Sequence, residues 1–143
     1  MPNYMNAPGC QVDYGPKPYV TDISQATLAN PNFRTTLWTG SHLQLTLMCI
    51  PPGGEIGLEV HKDTDQFMRV EGGCGQALLG PRQNMLSRQP VKNDSAVFVP
   101  AGTWHNLVNT GCCPLKLYSI YAPPHHPHGT VHKTKAQADA EGD

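Results

Sequence analysis

The sequence predicts an all-β domain, a sandwich or closed barrel of short strands. From Phe33 onward, runs rich in Thr, Leu, Val, Ile and aromatic residues replace any helical periodicity. Turn signals built on Gly, Pro, Asn and Asp separate these runs about every 8–12 residues, the spacing of antiparallel β architectures. At 143 residues the chain has the length of one domain and can bury a full core.

Taken in order, residues 1–18 hold Pro2, Pro8, Pro16 and Pro18 and little apolar periodicity, which reads as an arm without its own core. Residues 21–33 open with a helix-start signal, Thr21 or Ser24 capping a short turn that ends near Pro31. Residues 33–39 and 42–50 form a hairpin across Gly40 and Ser41. Residues 55–61 and 66–72 are expected as a second pair joined by the polar turn 62–65, followed by strands at 75–80, 85–91, 95–102 and 115–122. The tail after 122 is expected to end the sheet, with one or two helical turns from Thr134. This divides the chain into an arm (1–34), a barrel (35–122) and a tail (123–143). No internal repeat is present, so one barrel is expected.

Composition excludes several classes of partner. Charged residues make up 15% of the chain and the formal net charge is −1, so neither nucleic acid nor an anionic membrane is an expected partner. No run approaches the roughly 18 apolar residues of a spanning helix. The first residues lack the basic and apolar regions of a secretory signal, so a cytoplasmic location is expected by default. The five cysteines form no CxxC, and the adjacent Cys112 and Cys113 are poorly placed to bridge, so reduced thiols are expected.

The chemistry concentrates in two blocks. Glu59 and His61 lie two apart, so on a strand their side chains leave the same face. Gln66 follows shortly after, and His105 lies in a second block of similar texture, residues 94–106. Singly, each has an ordinary explanation: a solvent-facing glutamate, core histidines, a wall amide. Together, a carboxylate, two imidazoles and an amide suit a divalent metal.

The spacing is specific. Gly53 is followed after five residues by Glu59, then His61 after one, Gln66 after four and Gly73 after six. Asp94 is followed after five by Pro100, then Gly102, His105 and Asn109. This pattern closely resembles the two motifs of the cupin superfamily, G(X)5HXH(X)3–4E(X)6G and G(X)5PXG(X)2H(X)3N. The resemblance spans about residues 35–122 and implies a double-stranded β-helix, the jelly-roll barrel, with a metal held by Glu59, His61, Gln66 and His105. Three positions depart from the pattern: Glu59 replaces the first histidine, Gln66 the glutamate, and Asp94 a glycine. The first two offset each other, since the set still donates one negative charge.

One divalent ion per chain is therefore expected, of Zn, Mn, Fe, Ni or Co type, in a mixed N/O site. The expected partner is a small oxygen-rich molecule such as a sugar or keto acid, with isomerase or lyase chemistry. The alternatives are a dioxygenase and a non-catalytic ligand-binding or sensing domain. Face parity offers Glu55 and Tyr121 as acid–base groups. It also places Met68, Val70, Phe98, Leu107 and Tyr121 on the inner wall, and Arg69 and Glu71 outside. If Glu59 and His61 point inward, Ile56, Leu58 and Val60 point outward and need cover, as Val97 and Val99 also would; a homodimer is expected on that ground. The tail histidines His125, His126, His128 and His132 form a rival cluster, expected as a loop.

Overall fold

The computed structural model describes residues 12–142. Residues 1–11, which hold the first part of the expected arm and Cys10, lie outside the described residues, as does Asp143. A short helix, α1 (Ile23–Ala29), precedes eight strands: β1 (Arg34–Thr39), β2 (Gln44–Ile50), β3 (Asp65–Gly72), β4 (Cys74–Arg82), β5 (Met85–Lys92), β6 (Ala96–Val99), β7 (Trp104–Val108) and β8 (Leu115–Ala122). A two-residue strand, β9 (Val131–His132), and a second helix, α2 (Lys135–Ala140), complete the chain. The strands form a six-stranded sheet ordered β6-β3-β8-β2-β1-β9 and a three-stranded sheet ordered β5-β4-β7. Met68, Val70 and Leu117 of the first sheet share one core cluster with Ala77, Val91 and Leu107 of the second, which closes the jelly roll.

The register sorts the interior into a polar and an apolar end. Across the first sheet, Gln44, Tyr121, Gln66 and Val99 lie in one row. Thr46, Ser119, Met68 and Val97 form the next, and Met48, Leu117 and Val70 the one after. All of these side chains are buried. Period-two alternation turns these residues inward, and along that face the apolar ones lie toward one end of the barrel and Gln44, Thr46, Ser119, Gln66 and Tyr121 toward the other. Buried polar groups need partners, so the polar end is where chemistry is to be sought.

Several expectations are corrected. Residues 55–61 do not form a regular strand paired with β3. They lie along β7 through isolated bridges, Glu55 to Val108 and Glu59 to His105, because Gly57 at φ 107° interrupts extended pairing. That break also turns Ile56 inward: it is 8% exposed and belongs to the core, leaving Leu58 as the exposed member of the expected outward trio. On β6 the parity is reversed. Gln66 pairs with Val99, so Val97 and Val99 face the core and Phe98, 71% exposed, packs outside against Phe67. Asp22, not Thr21 or Ser24, caps α1, its carboxylate accepting from the Gln25 N–H. The tail does not end the sheet, since β9 pairs with β1; α2 is capped by Thr134.

The motif turns explain their own residue types. Gly53, Gly73 and Gly102 all have positive φ, and so does Asp94 at 76°, where the family pattern has glycine. Asp tolerates this region better than most side chains, and its carboxylate accepts a hydrogen bond from Arg69 at 2.8 Å.

Candidate metal centre

Backbone bonds between the two motif blocks assemble the site. Glu59 and His105 exchange both N–H···O bonds, at 3.0 and 2.9 Å, and the His61 carbonyl accepts from the Gly102 N–H at 2.8 Å. Gly102 can make this approach because its positive φ turns the chain back immediately after Pro100. Gln66 enters from the first sheet, one row above Ser119, whose hydroxyl lies 3.4 Å from its Nε2.

The side chains converge. Glu59 Oε2 lies 3.6 Å from His61 Nε2 and 3.6 Å from His105 Nε2. These three residues form the one group of His, Cys, Asp and Glu among the described residues that brings three ligand atoms within 4.8 Å of one another. Gln66 shares the inner row with Tyr121, whose ring centroid is 5.9 Å from that of His61. All four expected residues are thus placed at the polar end of the barrel.

The donor atoms fit a divalent ion on three counts. His61 Nε2, His105 Nε2 and Gln66 Oε1 are buried and have no hydrogen-bond partner. Leaving one buried polar atom unsatisfied costs about 1–3 kcal/mol, so the two imidazole nitrogens that converge on Glu59 call for a shared occupant. Second, 3.6 Å exceeds hydrogen-bond length but is close to the roughly 3–3.5 Å between ligand atoms bound at about 2.1 Å to one ion. Third, His105 Nδ1 lies 2.9 Å from the Thr103 carbonyl, which only accepts. Nδ1 therefore carries the proton, and Nε2 presents its lone pair to the cluster. Burial raises the pKa of the Glu59 carboxyl, and the two imidazoles beside it, His105 and His61, lower it by more than burial raises it, so Glu59 is ionised.

Other expectations fare differently. Met68, Val70, Leu107 and Tyr121 are buried as the inner-wall reading requires; Phe98 is not. Glu55 is committed elsewhere, accepting from Asn106 Nδ2 at 2.6 Å. The Asn109 side chain donates to the Ile50 and Cys113 carbonyls and accepts from Gly111 N–H, each at 2.9 Å. Of the tail histidines, His125 and His126 pack edge to face with ring centroids 4.7 Å apart, and the other two go elsewhere. His128 bonds the Gly15 carbonyl, and His132 bridges Arg34 and Glu141. His125 instead lies against the metal centre, its ring centroid 4.1 Å from that of His61.

Sequence reasoning missed Gln44, which anchors this loop. Its Oε1 accepts from the backbone N–H groups of His125 and His126 at 3.1 and 2.9 Å, and its Nε2 donates to the His126 carbonyl at 2.7 Å. The signal was present: Gln44 has the same parity as Met48 and Ile50 in a strand that is otherwise apolar except for Thr46.

With this geometry established, comparison with known proteins decides the family. The family model described as "Cupin domain" matches residues 46–121. The chain belongs to the cupin family. This cupin is 58% identical over 132 residues to "Uncharacterized protein YrkC" of Bacillus subtilis strain 168, covering 92% of this chain and 71% of that one. It superposes on the crystal structure of BH2720 from Bacillus halodurans with TM-score 0.89 at 58% identity, over 90% of this chain and 98% of the other. Oxalate decarboxylase of Bacillus subtilis, whose centres are described as Mn(II), shares the fold: TM-score 0.56, 18% identity, 61% of this chain and 23% of that one.

Proposed function

We propose that this cupin binds one divalent metal ion through Glu59, His61, Gln66 and His105. It acts as a small metal-dependent enzyme on a small oxygen-rich substrate, a sugar or keto acid, by isomerase or lyase chemistry. The observation that carries the reading is the convergence of two buried, unpartnered imidazole nitrogens on one carboxylate oxygen, each 3.6 Å from it, with the unpartnered Gln66 Oε1 on the neighbouring inner row. When bound, the ion supplies Lewis-acid polarisation of a substrate carbonyl or hydroxyl. The chain's own residues do the rest. Thr103 orients His105 through its carbonyl, and Glu59 lowers the charge of the centre to about +1 with a divalent ion. Tyr121 and Met68, buried on the inner face of the first sheet, keep bulk water from that side of the centre. The Mn(II) centres of the oxalate decarboxylase fold-mate support Mn as one of the candidate ions, beside Zn, Fe, Ni and Co.

The test is turnover of a panel of keto acids and sugars by the chain loaded with each of these ions. Product formation that disappears in His105→Ala supports the proposal. Ligand binding without turnover across the panel would instead make this a binding domain.

We place the protein in the cytoplasm, supported by the four free cysteines among the described residues; no described helix is long and apolar enough to cross a membrane. A homodimer also belongs to this reading. With Ile56 in the core, its support shifts to exposed Leu58 and Phe98. Light scattering should give about twice the 15.6 kDa chain mass, and a mass near 15.6 kDa would reject it.

A further inference from the structure

The loop of residues 123–128 lies beside the metal centre, its His125 ring against His61, and its placement is built in. Gln44 is fully buried, yet its amide makes three hydrogen bonds to the backbone of His125 and His126 and a fourth to Thr39 Oγ1 at 3.0 Å. The same inner row supplies Gln66 to the cluster and Tyr121 to its wall. A few residues on, Asp13 accepts from Gly129 N–H at 3.0 Å, which fixes the far end of the loop. His125 is thereby held with its ring 4.1 Å from that of His61 and near-parallel to Tyr121, at 27° and 5.7 Å.

His125 is beside the cluster and not a member of it, since the group of converging ligand atoms comprises Glu59, His61 and His105. It is also exposed, whereas His61 and His105 are buried, so it occupies the solvent side of His61. Any molecule reaching the centre by that side passes this ring.

We propose that His125 is a ligand-recognition residue: it donates an imidazole N–H to an oxygen of a small carboxylate, such as a keto acid, held at the centre. Even the neutral ring carries one N–H donor, and hydrogen bonds to a carboxylate are about twice as strong as neutral ones. One carboxylate among otherwise neutral donors leaves a centre of net charge about +1 with a divalent ion, which favours an anionic ligand over a neutral sugar. Stacking and the Gln44 anchor fix the loop before the ligand arrives, so little ordering entropy is lost on binding. The inference rests on the metal-binding reading and narrows its substrate class.

The full chain loaded with Co(II) provides the test, because the visible spectrum of the ion reports its ligands and pyruvate serves as the probe. Pyruvate should shift the wild-type spectrum, and His125→Ala should bind it about 10-fold more weakly with unchanged cobalt stoichiometry. His125→Asn, which restores an N–H donor, should recover part of the loss. Unchanged pyruvate affinity in His125→Ala, with cobalt retained, would overturn the role of His125 alone. A cobalt spectrum insensitive to pyruvate overturns the carboxylate assignment. Loss of cobalt in His125→Ala would make His125 part of the metal's support, not the ligand's. A wild-type chain that takes up no cobalt overturns the metal reading and this inference together.

Discussion

Replacing Gln66 with methionine separates the cost of its amide from its use. Gln66 Oε1 is buried and accepts no hydrogen bond, while Nε2 makes only a long contact of 3.4 Å to Ser119. A buried orphan acceptor costs about 1–3 kcal/mol; methionine has a similar length and removes it, at the loss of one weak bond. The metal-free variant should therefore be more stable by about 1 kcal/mol, a rise of roughly 3–5 °C in melting temperature for a chain of this size. With metal the sign reverses. Loss of a donor at the centre weakens metal affinity by about 10–100-fold, which removes about 1.4–2.7 kcal/mol from the stabilisation given by saturating metal. Thermal melts in chelator and in excess Mn(II) should show the variant melting higher than wild type without metal and gaining less on its addition. A variant that melts lower in chelator and gains as much from metal as wild type would refute the assignment of Gln66 to the centre.

Two further perturbations test how the site is supported. The Asp13 side chain is covered, which alone would raise its pKa. The Thr39 hydroxyl, the Gly129 and Gly15 N–H groups and His128 outweigh this and hold it below the usual Asp range. Its contribution to stability is thus present above about pH 4, the ordinary Asp value, and is lost as pH falls through the lowered folded value. Asp13→Asn should lower stability at neutral pH and flatten the acid limb of the stability–pH curve measured by urea melts; an unchanged acid slope would contradict the role. Asn109→Ala removes three hydrogen bonds to backbone groups, one at the end of β2 and two in the turn after β7. At about 1 kcal/mol each, with the groups left unsatisfied, this should cost about 2–4 kcal/mol in urea unfolding without changing metal content. A loss under about 0.5 kcal/mol would show that water replaces the side chain.

The legible and illegible parts of the sequence divide along physical lines. Strand positions with clean alternation, such as β3 and β8, were readable because period two assigns Met68 and Val70 to one face of β3 and Tyr121 to one face of β8. The motif spacing pointed to Glu59, His61 and His105, and the bridge between Glu59 and His105 brings those three side chains together in the fold. Parity failed where a backbone irregularity intervened. Gly57 at φ 107° breaks the alternation between Ile56 and Glu59, and the register of β6 against β3 is a long-range choice that local pattern does not encode. The position of the histidine-rich tail was also unreadable. It depends on Gln44 and Asp13, which lie 82 and 116 residues from their partners His126 and Gly129.

The central claim is that the unpartnered atoms of His61, His105 and Gln66, gathered beside Glu59, hold a divalent ion. Elemental analysis of the natively purified chain, beside Glu59→Ala and His105→Ala, tests it most directly. The account predicts about one divalent ion per wild-type chain and loss of that ion in both variants. Absence of stoichiometric metal from the wild type, with no change in melting temperature on adding Zn, Mn, Fe, Ni or Co, would contradict it.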